Sequence, residues 1–211
     1  MDKGHREALR DAARTLMREK GLSRTTARDL VRVSGTNLRS IGYHFGSKDA
    51  LMAEVLGLIT AEWTAAPVAA SRAGAGTTSP AVRMTNAVRT MLTDLASKRE
   101  DLSVYLEGLL EARHSPALAA SLVQTQQDAL TAIAESIQEG APAVDPAVTL
   151  TLARLLMAIH DGLALQFLVS DSPELRDVES LTATLAGLGI TVAAGLDVPG
   201  ADDILKSLLE G

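Results

Sequence analysis

The sequence predicts an all-α protein, with an N-terminal three-helix helix-turn-helix domain and a larger helical domain behind it. Three observations carry this. Leu9, Ala12, Ala13, Leu16 and Met17 recur with the period of an amphipathic helix. The stretch 25–51, TTARDLVRVSGTNLRSIGYHFGSKDAL, reads as two short helices joined by a glycine turn and followed by an aromatic-His-Phe exit into a third. Beyond residue 80 the chain is a run of long apolar segments punctuated by Ser-Pro and Asp-Pro pairs, the pattern of helix caps followed by a proline in the first turn.

In chain order, the first helix is expected from about His5 to Lys20, closed by Gly21 as its C-cap. Thr25 or Thr26 caps the next helix, in which Ala27, Leu30 and Val31 share one face while Arg28 and Arg32 lie on another. That helix ends near Val33. Ser34-Gly35-Thr36 supplies a tight turn where glycine takes positive φ without a Cβ clash, and Asn37 caps a helix from Leu38 to about His44. Ser47 caps the following helix, expected to run from Lys48 to Trp63.

Two helices joined this tightly fit the helix-turn-helix unit, which places its second helix in the major groove of DNA with N-terminal residues on base edges; a generic helical hairpin is the alternative for the turn taken alone. The presented face is expected to be Leu38, Arg39, Ser40 and Tyr43, with Ile41 and Phe45 turned into the core. Arg39 is the only side chain on this helix able to grip guanine with two hydrogen bonds, and Leu38 suits a thymine methyl. Arg39 and Ser40 are therefore the candidate base readers, and Thr26, Arg28, Tyr43, His44 and Lys48 the candidate phosphate contacts, with Asn37 beside them at the helix start. Each has a plainer alternative: Arg39 as a solvated charge, His44 as a residue favoured by the helix dipole, Tyr43 as a stabiliser of the domain.

Charge agrees with a division near residue 63. Residues 1–63 carry 11 Lys and Arg against 8 Asp and Glu, a net of +3, whereas residues 64–211 carry 9 against 18, a net of −9, making up the overall −6. A basic head on an acidic body suits a selective DNA binder and argues against a nonspecific nucleic-acid coat. With 211 residues, 46% of them hydrophobic, the chain can bury a substantial core, one small domain plus one larger. It has no cysteine, so disulfides and cysteine-based metal or nucleophile sites are excluded. Residues 2–14 are charged with no apolar h-region, from which cytoplasmic residence is expected. The uncharged stretch from Ser180 to Leu196 is short for a membrane span and rich in Thr and Gly, so a buried helix is expected.

The Ala, Gly, Ser and Thr-rich segment from Ala65 to Ser79 reads as a flexible connection. Helices are expected at about 80–97, 100–113, 116–139, 146–169 and 174–195. In the last, Ala183, Gly187, Thr191 and Gly195 are spaced by four, a small-residue face that lets another helix approach closely. The helix from Pro146 to Val169 carries only Arg154 and Asp161 as charges and must be covered on more than one side. A homodimer is the reading; completion of a monomeric core is the alternative.

Met84, Met91, Tyr105, Leu109, Leu110, Gln126, Met157, His160 and Phe167 are candidate lining residues of an apolar ligand pocket, with His160, Tyr105 and Gln126 as its polar groups; the same residues can simply be core. With five aromatic residues in all, the chain suits a flexible aliphatic or small polar effector better than a flat polyaromatic cation. Enzyme signals are weak. Glu107, Glu111 and His114 fall at i, i+4 and i+7, a metal-capable spacing more often solvated, and the adjacent His160 and Asp161 should point apart on a helix. No nucleophile or Gly-rich phosphate loop accompanies them.

The segments ALRDAARTLMREKG (8–21), TTARDL (25–30), Ser34-Gly35 and YHFGSKDAL (43–51) resemble the N-terminal domain of the tetracycline-repressor-like (TetR/AcrR) transcriptional regulators almost from end to end. AIHDGLALQFL (158–168) also looks like that family's penultimate helix, which with the last one makes a four-helix bundle between subunits. The chain departs where the family's Val-Ser-Lys-Gly-Thr-Leu-Tyr is replaced by Thr36-Asn37-Leu38-Arg39-Ser40-Ile41-Gly42, losing a lysine at 38 and an aromatic at 42, which implies a different operator. The resemblance implies a DNA-binding domain at 1–63 and an effector-binding and dimerisation domain at 64–211. The whole would be a ligand-responsive regulator, most simply a repressor on a palindromic double-stranded operator, with no cofactor, no metal and no membrane partner. A constitutive DNA-binding protein without an effector and a helical enzyme are the alternatives.

Overall fold

The computed structural model describes residues 2–73, 79–170 and 172–195, with the side chains of residues 2, 3, 176 and 190–195 left aside. The described residues form ten helices and no strand: α1 (Asp2–Lys20), α2 (Ala27–Ser34), α3 (Leu38–Phe45), α4 (Lys48–Arg72), α5 (Pro80–Ser97), α6 (Arg99–Glu111), α7 (Pro116–Gly140), α8 (Pro146–Val169), α9 (Pro173–Arg176) and α10 (Val178–Gly195). The protein is all-α. Two compact units divide it, one of residues 1–61 and 98–127, the other of residues 62–97 and 128–211.

In the first unit the expected stripe of α1 is the core: Leu9, Ala12, Ala13, Leu16 and Met17 are buried, as are Leu30 of α2 and Ile41 of α3. Beneath them lie Leu51, Met52, Val55, Leu56 and Ile59 of α4 and Leu102, Val104 and Tyr105 of α6. Helix α6 is fastened to α4 and α1 by both packing and charge. At Gly108 an added Cβ would run into the terminal methyls of Leu56, so the glycine lets the two helices approach closely without moving that side chain. Asp101, 3% exposed, takes Arg18 Nε at 2.5 Å and Nη2 at 2.6 Å, with Arg14 Nη2 at 3.4 Å. One turn and a half further on, Glu107 accepts the Leu22 N–H at 2.7 Å, the Ser23 N–H at 3.0 Å and the Ser23 hydroxyl at 2.5 Å, closing the turn after α1.

Burial works to raise both carboxyls. It is outweighed at Asp101 by the Arg18 hydrogen bond and the charges of Arg18 and Arg14, and at Glu107 by the donors of Ser23 and Leu22, so both are held below their ordinary values.

In the second unit α10 packs on α5, and α5 on α8. The contact is close where Met84 lies against Gly189, leaving no room for a Cβ there. Arg83, 6% exposed, donates to the carbonyls of Ser71 at 2.8 Å and Ser136 at 3.2 Å. The Ser71 carbonyl lies in the last turn of α4, so the buried cation caps that helix, and through the Ser136 carbonyl it ties α4 to α7.

Two boundaries differ from expectation. Residues 65–72, read as part of a flexible connection, continue α4 through Pro67. The missing proline N–H is offset by tertiary contacts: Val68 is 8% exposed, and Arg72 pairs with Glu139 at 2.8 and 3.0 Å. The helix expected from 174 is split, because Asp177 leaves the helical conformation and its carboxylate accepts the Ser180 N–H at 3.0 Å, capping α10. The end of the Ser180–Leu196 stretch lies outside the described residues. Helices α4 and α8 are each long and apolar enough, by length and composition, to cross a membrane; α4 places Leu51, Met52, Val55, Leu56 and Ile59 in the core of the first unit.

Candidate DNA-binding interface

Helix α2 starts at a capping box. The Thr26 hydroxyl accepts the Asp29 N–H at 3.2 Å, and the Asp29 carboxylate accepts the Thr26 N–H at 3.1 Å. Lys20 also pairs with Asp29, and that hydrogen bond, followed by those from Thr26, holds the carboxyl far below the usual range. The turn follows the sequence signals. Gly35 sits at φ 65°, in the left-handed region that favours glycine, and the hydroxyls of Ser34 and Thr36 meet at 2.7 Å. Asn37 Oδ1 accepts the Ser40 N–H at 3.1 Å and caps α3.

Helix α3 presents one arc to solvent. Leu38 is 56% and Tyr43 73% exposed, and Arg39 and Gly42 are exposed between them. The arc follows from 3.6 residues per turn, which brings 38, 39, 42 and 43 together and sends 40 and 41 inward. Ile41 is buried, as expected, but so is Ser40 at 8%. Ser40 is therefore corrected: its hydroxyl does not share the presented face with Arg39.

The far end of α3 is gripped by Arg6 of α1. Its guanidinium lies 4.9 Å from the Phe45 ring centroid, donates to the His44 carbonyl at 3.3 Å and pairs with Glu54 at 2.7 Å. Phe45 is thus half-buried under a cation rather than sealed in the core. Arg10 donates to the same Glu54 at 2.5 Å. Tyr43 and His44 meet edge to face with ring centroids 4.9 Å apart. Gly46 at φ 80° ends α3, and the Ser47 hydroxyl accepts the Ala50 N–H at 3.0 Å to start α4. Lys48 donates to the Thr25 carbonyl at 3.3 Å, tying the start of α4 to the approach to α2. Thr26, Arg28 and Asn37 are exposed and His44 and Lys48 half-buried.

The candidate ligand residues are divided between the units. Tyr105, Leu109 and Gln126 belong to the first, where Tyr105 at 2% exposure is packed core. Met84, Met91, Met157, His160 and Phe167 belong to the second, where the Met84 thioether is spent on the contact with Gly189. There His160 is half-buried, its ring 5.7 Å from that of buried Trp63 and its Nδ1 3.2 Å from Asp161 Oδ1. The two adjacent side chains, expected to point apart, meet. Trp63 was missed because no local spacing links it to His160. Of the Glu107, Glu111 and His114 set, Glu107 is engaged by Leu22 and Ser23, and α6 ends at Glu111, leaving His114 beyond the helix and off its face.

On α10, Ala183 is exposed and Gly187 half-buried; the side-chain surroundings of Thr191 and Gly195 lie outside the described residues. A longer apolar arc lies on α8, where Leu155 (56% exposed), Ala158, Gly162, Leu165 (54%) and Val169 (78%) recur along one exposed stripe. The spacing was present in the sequence, but a helix apolar nearly all round does not show which side its own chain leaves open.

The sequence pattern of bacterial regulatory proteins of the tetR family matches residues 9–55, and that of the C-terminal region of BetI-type transcriptional repressors matches residues 80–189. Among solved structures, a transcriptional regulator from Rhodococcus sp. Rha1 is 26% identical, with 92% of this chain and 98% of that one covered at a TM-score of 0.69. The multidrug binding protein EbrR complexed with imidazole is 26% identical, with 85% and 92% covered and a TM-score of 0.62. GusR of Salmonella enterica, at 18% identity, shares the fold over 92% and 95% of the two chains with a TM-score of 0.66. No curated protein matches the chain.

Proposed function

The chain belongs to the tetR family of bacterial regulatory proteins and is a transcriptional regulator, and from that premise we propose that it works as a homodimeric repressor, held on a palindromic operator and released by a small-molecule effector. The observation that carries this reading is the outward arc of α3, where Arg39 stands exposed between Leu38 and Tyr43 on a helix capped at both ends. Arg39 reads guanine and Leu38 meets a thymine methyl. Thr26, Arg28, Asn37, Tyr43, His44 and Lys48 hold the phosphates and carry no sequence information themselves.

By role, residues 1–63 bind DNA, and residues 64–211 bind the effector and the second subunit. The apolar stripe of α8, with the small residues Ala183, Gly187, Thr191 and Gly195 of α10, is the twofold interface. Helix α6 belongs by role to the second domain and by contact to the head, through Asp101 and Glu107. It is the element by which an effector acts. A ligand that binds better when the two recognition helices are wrongly spaced must weaken DNA binding by the same factor.

Within the second unit, Trp63, His160 and Asp161 offer an aromatic face, an imidazole and a carboxylate together, with Met91, Met157 and Phe167 as further candidate lining. That set suits a small polar or cationic effector, the kind represented by the imidazole in EbrR. A protein whose target is bacterial operator DNA works in the cytoplasm. The test is selection of bound sequences from random duplex DNA by the purified protein at physiological salt. A palindromic motif supports a dimeric sequence reader and supplies the probe for an effector screen; recovery of nothing above background sinks the reading.

A further inference from the structure

Helix α8 carries one arginine and one carboxylate in 24 residues, Arg154 and Asp161. Seven residues make two turns, so the two stand about 20° apart around the helix axis and about 10 Å apart along it, on one edge of the apolar stripe. Arg154 is exposed there, next to Leu155 and one turn from Ala158, and among the described residues it has no acceptor. A guanidinium set in apolar surface is costly to cover unless what covers it brings an acceptor.

The interface assigned to α8 and α10 offers two carboxylates. Asp161 is the only one on α8, and Glu179 the only one on α10, where Arg89 of the same chain already holds it. Asp161 remains within reach of a partner, its side chain 36% exposed while Oδ1 meets His160 Nδ1 at 3.2 Å. Two turns of helix keep it from Arg154 of its own chain. A twofold axis removes that separation, because it makes every contact reciprocal. If two α8 helices run antiparallel across an axis between residues 157 and 158, position 154 of each comes level with position 161 of the other, and both charges lie on the same edge of the seam. The small side chain of Ala158 then lies beside the axis, where the helices come closest. A parallel pair would instead set like charges level with each other.

We propose that Arg154 and Asp161 form two reciprocal ion pairs across the twofold interface, each arginine held by the partner's Asp161, and that these pairs fix the antiparallel register of the α8 helices and select a second copy of this chain. The inference rests on the homodimer reading and adds to it the residues that choose the partner.

The experiment measures the monomer–dimer equilibrium by sedimentation for wild type, Arg154→Glu, Asp161→Arg and an equimolar mixture of the two variants. Each variant alone sets like charges against each other at both ends of the seam, and its dimer should weaken by about a hundredfold or more. In the mixture both pairs are again of opposite sign, so a heterodimer should form with a dissociation constant within about tenfold of wild type. Thermal unfolding checks that each variant is folded. Should Asp161→Arg fail that check, Arg154→Gln, Asp161→Asn and their double variant decide instead: each single change should weaken the dimer about tenfold, and the double change no further than either. Dimers of Arg154→Glu as tight as wild type overturn the inference and leave the homodimer standing, as do folded variants that dissociate alone and stay apart when mixed, or neutral changes whose effects simply add. A wild-type protein that sediments as a monomer overturns both.

Discussion

Helices α3 and α8 both leave a face uncovered by their own chain, and the two faces are built from different materials. The arc of α3 is short and mixed, a leucine, an arginine, a glycine and a tyrosine on a helix of 8 residues fixed by Asn37 at one end and Arg6 at the other. The stripe of α8 runs along a helix of 24 residues and is apolar, with Leu155, Leu165 and Val169 each more than half exposed. A face of the first kind suits a charged polymer, whose attraction weakens as salt rises. A face of the second kind suits another apolar surface, whose attraction does not. The two contacts of the protein should therefore be separable by salt alone.

The largest expected effect cuts between them. Ala158 is exposed in the middle of the α8 stripe, so Ala158→Glu should leave the fold intact while placing two like charges near the twofold axis. Sedimentation should then report monomers, and affinity for a full palindrome should fall by about 10² to 10⁴-fold as the second half-site stops being an intramolecular event, with half-site binding unchanged. A variant that remains dimeric would break the assignment of the stripe.

Next in size is the tie between α6 and the head, where short-range rules stop sufficing. Asp101→Ala removes a carboxylate 3% exposed and leaves Arg14 and Arg18 facing each other, which should cost about 3 kcal/mol in urea unfolding. The pH dependence has a defined sign. The folded carboxyl is held below its unfolded value, so its stabilisation is fully present above about pH 4 and is lost as the pH falls further. Asp101→Ala should flatten the acid limb of stability and leave the neutral limb parallel to wild type. Unchanged curvature below pH 4 would remove Asp101 from the latch.

The same contrast explains what was legible beforehand. Caps, turn glycine and the stripe of α1 act over three or four residues, so Thr26, Gly35, Asn37 and the core leucines can be read directly from their neighbours in sequence. Ser40 was placed on the wrong arc because, in a helix of two turns, one residue of rotation decides which side faces out. Asp101, Glu107 and Trp63 were unreadable as partners of α1 or of His160, since nothing local encodes a contact that far along the chain. The continuation of α4 through Pro67 was hidden for the same reason: Glu139, which holds Arg72, belongs to another helix.

A smaller effect sharpens the reading of α3. Arg39→Ala should lose about 1 to 3 kcal/mol of discrimination at one base pair of each half-site, seen as a relaxed position in repeated selection, with stability unmoved because the side chain is exposed. Uniform weakening over all sequences would make Arg39 a phosphate contact.

The smallest effect separates local order from contact within one residue. Thr26→Ala removes the hydroxyl that caps α2 and should lower stability by about 1 kcal/mol, while Thr26→Ser keeps the capping box and should lower it by less. If Thr26 also touches phosphate, operator affinity and the salt slope must fall in Thr26→Ala and be restored in Thr26→Ser. If it only caps, DNA binding at a temperature well below unfolding stays at the wild-type value, because the folded population hardly changes. Threonine at the N-cap would then belong with Ser40, a polar residue of the head turned to building the interface and not to making it.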